Sequence, residues 1–430
     1  MLNTPPPVPV PVEGKKVKES FYMRELPTDK LVGYESPEGK ELFKAALMEG
    51  GLEAFFPLSQ QFLTNKSSQS TVCGLGTLCM ILNALKIDPA ATWRKPWRWF
   101  TQEMLDCCRP LDWVKENGIT LAEFTCLAKC NGLDASTRFA DETSFAEFER
   151  AVRACTFSTG QLMAVSYSRA TLGQTGSGHF SPVGGYTSKN GGMVLILDVA
   201  RFKYPSYWVP ISTLYSALLP PDAVSNQPRG YSILRRPETP VPPSLLVLNA
   251  TKPTWPLLYT PLSKLCETAS SYHELTSALG AILRSPSGLP TVSSRYEGSH
   301  HSILTSLSKS PSFDTTTCSE AHTEYRQGVA SLRRYFRENS VLYKELELDE
   351  LWKTEITVFI LALLAVGDVR RRLGAGVREE VERRLQGDYE DERIGREVEG
   401  VRRQMESLVE LGDVECRREG GCCGGKGTCG

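Results

Sequence analysis

The sequence predicts an α+β fold, with a helical lobe, an antiparallel sheet and then a mainly helical, partly disordered C-terminal region. Three observations carry that prediction. Apolar residues recur at helical spacing directly after Cys73, two apolar strands bracket a turn between His179 and Val199, and a helical pattern resumes at about Ala321.

The first 20 of the 430 residues are Pro-rich and expected to be disordered; Met1–Gly14 has neither the basic start nor the apolar core of a leader peptide. Leu75, Leu78, Ile81, Leu82 and Leu85 then mark one face of a helix that Ser70 or Thr71 can cap, which puts Cys73 at its first turn. Further on, Gly176–Tyr186 and Met193–Val199 flank Ser188-Lys189-Asn190-Gly191-Gly192, a turn signal, and read as a hairpin. A linker starts at Glu238-Thr239-Pro240, so 21–240 forms one expected domain and 241–430 a variable C-terminal region. Within that region, 285–320 is rich in Ser, Thr, Pro and Gly and reads as flexible. Tyr325, Val329, Leu332, Tyr335 and Phe336 share a helical face, and Ile356–Val366 reads as a buried helix. Arg370–Glu410, densely and alternately charged, reads as a solvated helix.

The chemistry starts from Cys73. Unpaired N–H groups and the positive end of a helix dipole favour thiolate over thiol at a helix start. Gly74 and Gly76 would keep the surface around the sulfur open. A lone cysteine on an apolar helix is ordinarily a core residue, so a base is required, and His179 is the only histidine before His273. A bulge at the paired glycines Gly184-Gly185 would make His179 and Asp198 cross-strand neighbours. Asp198 is the only charge in its apolar strand and so calls for a partner. Cys73, His179 and Asp198 together form a nucleophile, base and orienting acid.

Several stretches then resemble phytochelatin synthases, members of the papain-like cysteine peptidase superfamily. They are Cys73-Gly74-Leu75, Met104–Leu111, Cys126–Cys130, Gln174–Pro182 and Ile196–Pro205, within a match from about Phe21 to Arg236. The resemblance implies a papain-like fold and transfer of γ-glutamylcysteine between glutathione molecules. It also implies activation by heavy-metal ions such as Cd²⁺ or Zn²⁺, acting chiefly as metal–glutathione thiolates, with no organic cofactor. By position, Cys73 matches the family nucleophile, His179 the general base and Asp198 the orienting acid. Arg169, Lys203 and Arg229 become candidates for binding the carboxylates of glutathione. The family carries an oxyanion-hole Gln six residues before the nucleophile, whereas Gln69 stands four before Cys73. Two alternatives stay open beside the transferase: a peptidase that uses the same triad to release glycine from glutathione or its conjugates, and, suggested by the displaced Gln69 and the Cys-rich tail, a catalytically impaired, thiol-rich metal-binding protein.

A net charge of −1 gives no electrostatic case for nucleic acid or an anionic membrane, and no apolar run is long enough to span a bilayer. Thirteen cysteines without a leader argue for reduced thiols and a cytoplasmic location. Cys416, Cys422, Cys423 and Cys429, in the Cys-rich tail 416–430, are candidate soft-metal ligands, although their spacing matches no structural zinc module. Cys126 and Cys130, four apart on a helix, read as core residues before metal ligands. The oligomeric state is open, a homodimer included.

Overall fold

The computed structural model describes residues 24–61, 73–89, 98–105, 111–222, 226, 228–238, 245–248, 255–283, 292–294, 315–348 and 353–418. Residues 1–20, Gln69, Cys107, Cys108, most of 285–320, and Cys422, Cys423 and Cys429 lie outside them.

Seven strands build the main sheet: β1 (Val32–Gly33), β2 (Asp134–Phe139), β3 (Gln161–Ser168), β4 (Gly178–Thr187), β5 (Met193–Ile196), β6 (Tyr207–Pro210) and β7 (Gly230–Arg235). Their order is β1-β6-β5-β4-β3-β7-β2 and every pairing is antiparallel. Successive side chains of a strand leave on opposite faces, and here both faces are covered. Leu162, Ala164, Met193 and Leu195 enter one core with the Cys73–Ala84 and Leu121–Cys130 helices. Met163, Val165, Val194 and Ile196 enter a second, with the Phe145–Thr156 and Ile211–Leu218 helices. Burial on both faces explains why Met193–Ile196 is apolar at every position. The expected mixture of helices with an antiparallel sheet is therefore present.

The helix expected at Cys73 spans Cys73–Ala84, with all but Asn83 buried. It packs on β4. Gly74 does not hold the surface open, as the sequence suggested. A Cβ there would meet Ile119 Cδ1 at 2.6 Å and Phe180 Cδ2 at 3.5 Å, so the glycine admits close packing instead. Asn190 in the β4–β5 turn has φ 54°, followed by Gly191 and Gly192 at 79° and 102°, the left-handed geometry its Asn-Gly-Gly sequence suits.

Beyond residue 240, β8 (Leu246–Leu248) pairs with β9 (Val292–Ser294), and the remaining described elements are helices. Lys353–Ala365 is buried throughout its length except at Lys353 and Ala365, as its apolar run predicted. Val329, Leu332 and Phe336 line the buried face of Thr315–Asn339. Arg370–Glu410 departs from the solvated helix expected. It breaks into three helices (Gly367–Arg372, Ala375–Glu390 and Glu392–Arg418) and buries Val377, Val381, Leu385, Val398, Val401 and Met405. Charged residues dominate the count there, but the apolar ones fall at helical spacing and decide the packing. Two polar side chains of the last helix also turn inward. Glu397 Oε2 accepts from Leu246 N at 3.1 Å and Gln404 Oε1 from Leu248 N at 2.9 Å, so both side chains meet backbone donors of β8.

The same helix lies along the Leu121–Cys130 helix, and one continuous core runs from Leu42 to Leu408. Packing thus crosses residue 240. The expectation of reduced thiols fails at Cys126, which is disulfide-bonded. Its partner lies outside the residues whose side chains are described. Cys130 is buried and outside any disulfide, so with Cys126 already bonded these two do not form a metal-binding pair. Among the described residues no group of three or more His, Cys, Asp or Glu is placed to hold a metal ion, and no helix is long and apolar enough to cross a membrane.

Candidate active site

Cys73, the first residue of its helix, is 9 % exposed. His179 is the second residue of β4, directly across from Tyr167 of β3, whose ring meets the imidazole edge-on at 5.6 Å. Asp198 stands two residues past β5 and is fully buried. What joins the last two is the irregularity the sequence suggested. Tyr186 pairs with Val194 and Gly185 with Leu195, but Val183 pairs with Ile196, leaving Gly184 without an opposite number. The shifted register continues, with Leu197 N donating to Pro182 O at 3.2 Å. A Cβ on Gly184 would lie 2.8 Å from Leu197 Cγ, so the bulge needs a glycine.

His179 Nε2 donates to Asp198 Oδ1 at 2.8 Å. That contact leaves Nδ1 for Cys73, whose sulfur is hydrogen-bonded by His179 and by the Phe180 backbone. Burial alone would push the Cys73 thiol up; the His179 charge and hydrogen bond, the Phe180 amide and Arg169 outweigh it and hold the thiol below its ordinary range. Burial and Arg169 press the His179 imidazole down, but Asp198 and the Cys73 thiolate prevail and raise it. For Asp198, burial is likewise overcome, by His179, Arg169 and the Ala200 N–H that donates to Oδ1 at 2.8 Å, and the carboxyl lies well below the usual carboxylate range.

These directions fix a pH dependence. A thiolate–imidazolium pair needs Cys73 without its proton and His179 with it, and the lowered Cys73 and raised His179 values both favour that state. Acid reprotonates the sulfur below the first, and base strips the imidazolium above the second. Alkylation of Cys73 by iodoacetamide should therefore persist well below about pH 8.5, the ordinary thiol value. Single-turnover product release should fall at both ends of a bell. A single rise centred near pH 8.5 in both measurements would contradict the pairing.

The three cations expected to bind carboxylates separate. Arg169 is 2 % exposed and donates through Nη2 to Asp198 Oδ1 at 3.0 Å and Oδ2 at 2.8 Å. This pairing engages its guanidinium with the proposed orienting acid, a partner that no local pattern around Arg169 announces. Lys203 is half-buried at the rim, with Nζ donating to Thr175 O at 2.6 Å. Burial and then Arg169 lower its pKa. Arg229 is buried, donates from Nε to Pro220 O at 3.0 Å and lies 3.2 Å from Asp222 Oδ2. A Cβ on Gly178, the residue before His179, would meet both Arg229 Nη1 and Asp222 Oδ2 at 2.8 Å. Asp222 was not singled out in the sequence; an opposite charge seven residues before Arg229, beyond a Pro-Pro turn, was its only signal. Gln69, the oxyanion candidate, and three of the four tail cysteines are outside the described residues; the fourth, Cys416, falls within the last helix.

The sequence profile of the Phytochelatin synthase family matches residues 21–231. Over 408 residues the chain is 36 % identical to a glutathione gamma-glutamylcysteinyltransferase of Schizosaccharomyces pombe, covering 95 % of this chain and 89 % of that relative. It is 44 % identical over 216 residues to glutathione gamma-glutamylcysteinyltransferase 3 of Lotus japonicus, 50 % of this chain and 44 % of the relative. With glutathione gamma-glutamylcysteinyltransferase 1 of Arabidopsis thaliana it shares 42 % identity over 236 residues, 55 % of this chain and 48 % of the relative. The yeast match runs on into the C-terminal helices, whereas the two plant matches cover about half of each chain. A buried Cys–His–Asp centre within the matched region, together with a relative aligned over nearly its whole length, places the chain in the phytochelatin synthase family, the glutathione γ-glutamylcysteinyltransferases.

Proposed function

We propose that this chain transfers γ-glutamylcysteine from one glutathione to another, through a thioester on Cys73 within a papain-like catalytic unit. The observation that carries the reading is the buried His179–Asp198 pair set against a thiol at a helix start. Cys73 Sγ attacks the carbonyl between cysteine and glycine of the donor. The C–N bond breaks as His179 Nδ1 gives its proton to the leaving glycine amine, and γ-glutamylcysteine stays on sulfur as the thioester. The α-amine of a second glutathione then loses a proton to His179 and attacks that thioester, freeing Cys73 and lengthening the peptide. Asp198 keeps the imidazole oriented and favours its protonated form in both steps.

Glutathione carries two carboxylates and one ammonium group, and the wall beside Gly178 offers a complementary pair. Arg229 suits a carboxylate and Asp222 an ammonium, so the γ-glutamyl end of the donor fits there. Lys203 at the rim is the second carboxylate partner. Heavy-metal ions enter as substrate, their glutathione thiolates being the acceptor, and the tail cysteines hold such ions near the enzyme. Gln69 supplies the oxyanion donor if the chain before Cys73 brings it to the carbonyl.

Incubation of the purified protein with glutathione, with and without Cd²⁺, followed by mass analysis, tests the reading. Glycine together with oligomers of γ-glutamylcysteine is the expected outcome, increased by Cd²⁺. Glycine with single γ-glutamylcysteine alone would make the enzyme a peptidase, and no product would leave a metal-binding protein.

A further inference from the structure

We propose that Arg169 is a positioning residue of the Cys73–His179–Asp198 centre, its forked guanidinium fixing the Asp198 carboxylate and its charge setting the pH range in which sulfur and imidazole stay paired. The inference rests on the transfer reading above for its kinetic consequence, but its electrostatic consequence is independent of any substrate.

The guanidinium is enclosed. Nη2 reaches both oxygens of Asp198, Nη1 donates to Gln174 Oε1, and the plane lies over the Tyr204 ring at 5.3 Å. The enclosure is itself braced: Arg169 N donates to Ser177 O and Gln174 N to Arg169 O, each at 2.9 Å, and Thr175 N donates to Tyr204 Oη at 2.9 Å. Only 2 % of Arg169 is exposed, and both terminal nitrogens of its guanidinium are engaged within the protein. Asp198 is the acceptor that this arrangement holds. Its Oδ1 already accepts from His179 and Ala200, whereas among the hydrogen bonds described Oδ2 accepts only from Arg169. Without Arg169 the carboxylate would be anchored along one edge only, free to swing about that edge and carry the imidazole with it.

The charge acts as well. Arg169 favours the thiolate of Cys73 and opposes the imidazolium of His179. Its removal raises both groups and moves the window of the ion pair to higher pH. The other groups facing this centre do not duplicate the effect. Burial keeps the Tyr167 and Tyr207 phenols protonated. Lys203 stands at the rim with its ammonium on Thr175 O. Arg229, beyond Gly178, is offset by Asp222.

The test compares the full-length wild type with Arg169→Met and Arg169→Lys. The pH profile of Cys73 alkylation by iodoacetamide and the kcat and KM for glutathione are measured. In Arg169→Met the alkylation midpoint should rise by on the order of one pH unit and kcat should fall about tenfold or more, with KM changed less than about twofold. Arg169→Lys keeps the charge and loses the fork, so its midpoint should stay near that of the wild type while kcat still falls. A rise in KM with kcat and the alkylation midpoint unchanged would overturn the proposal and make Arg169 a substrate cation. If Arg169→Met does not fold, the Lys variant decides alone: an unchanged kcat overturns the positioning role. Should the wild type form no transfer product, the functional reading fails, yet the alkylation profiles still decide the role of Arg169.

Discussion

Cys73→Ser should reduce product formation by on the order of 10⁴-fold or more, and no acyl-enzyme should be visible by intact mass. The reason is ionisation. His179, the Phe180 amide and Arg169 hold the Cys73 thiol below its ordinary range, whereas a serine hydroxyl in the same place, with an intrinsic pKa far higher, would stay protonated. His179→Ala should have a comparable effect, because the leaving amine loses its proton source and the acceptor its base. Asp198→Asn should cost less in rate, since an amide still fills the space between His179 and Arg169. Asp198→Ala is the less informative variant, because it leaves Arg169 charged, buried and unpaired, with a stability loss of about 3–5 kcal/mol mixed into the rate. Glycine release by Cys73→Ser at close to the wild-type rate would end the thioester mechanism.

Truncation after residue 240 should cost stability before it costs chemistry. Every member of the proposed triad lies before that point, yet the Glu392–Arg418 helix packs against Leu121–Cys130, a helix that in turn contacts the Cys73 helix. Val398, Val401, Met405 and Leu408 belong to the same core as Phe124 and Leu127. Burial of each such apolar side chain contributes about 1.5–3 kcal/mol, so losing even part of this contact should lower Tm by about 10 °C or more. Melting followed by circular dichroism on residues 1–240 and on the full chain measures the loss. Glycine release per molecule, assayed below the lower Tm, should be retained. Equal Tm values would mean the helix contact contributes nothing, and a folded but inert fragment would place the C-terminal helices within the catalytic unit.

What the sequence showed and what it hid divide along physical lines. The Cys73 helix and the hairpin were legible because each depends on neighbours a few residues apart: apolar spacing for the first, a Ser-Lys-Asn-Gly-Gly turn for the second. His179 and Asp198 were legible as a pair because a hairpin converts distance along the chain into adjacency. The Asp198 partner of Arg169 was not legible because it is 29 residues away and reached through an irregular loop, so nothing near Arg169 announces the pairing. Asp222, the Cys126 disulfide and the inward turn of Glu397 and Gln404 stayed hidden for the same reason. Each is settled by which elements meet, and no local periodicity records that.

The bulge at Gly184 gives the hairpin a parity. Residues pair across β4 and β5 by a constant sum of their numbers: 380 on the turn side, as in Tyr186 with Val194, and 379 beyond the bulge, as in Val183 with Ile196. Carried on, the lower sum sets Asp198 opposite Ser181, on the same side as His179; the higher sum would set it opposite Pro182 and turn it away. One uncounted glycine therefore decides whether acid and base face each other. It follows that the turn can change length while the pairing holds, whereas loss or gain of a single residue within either strand would invert the site without touching any residue in it.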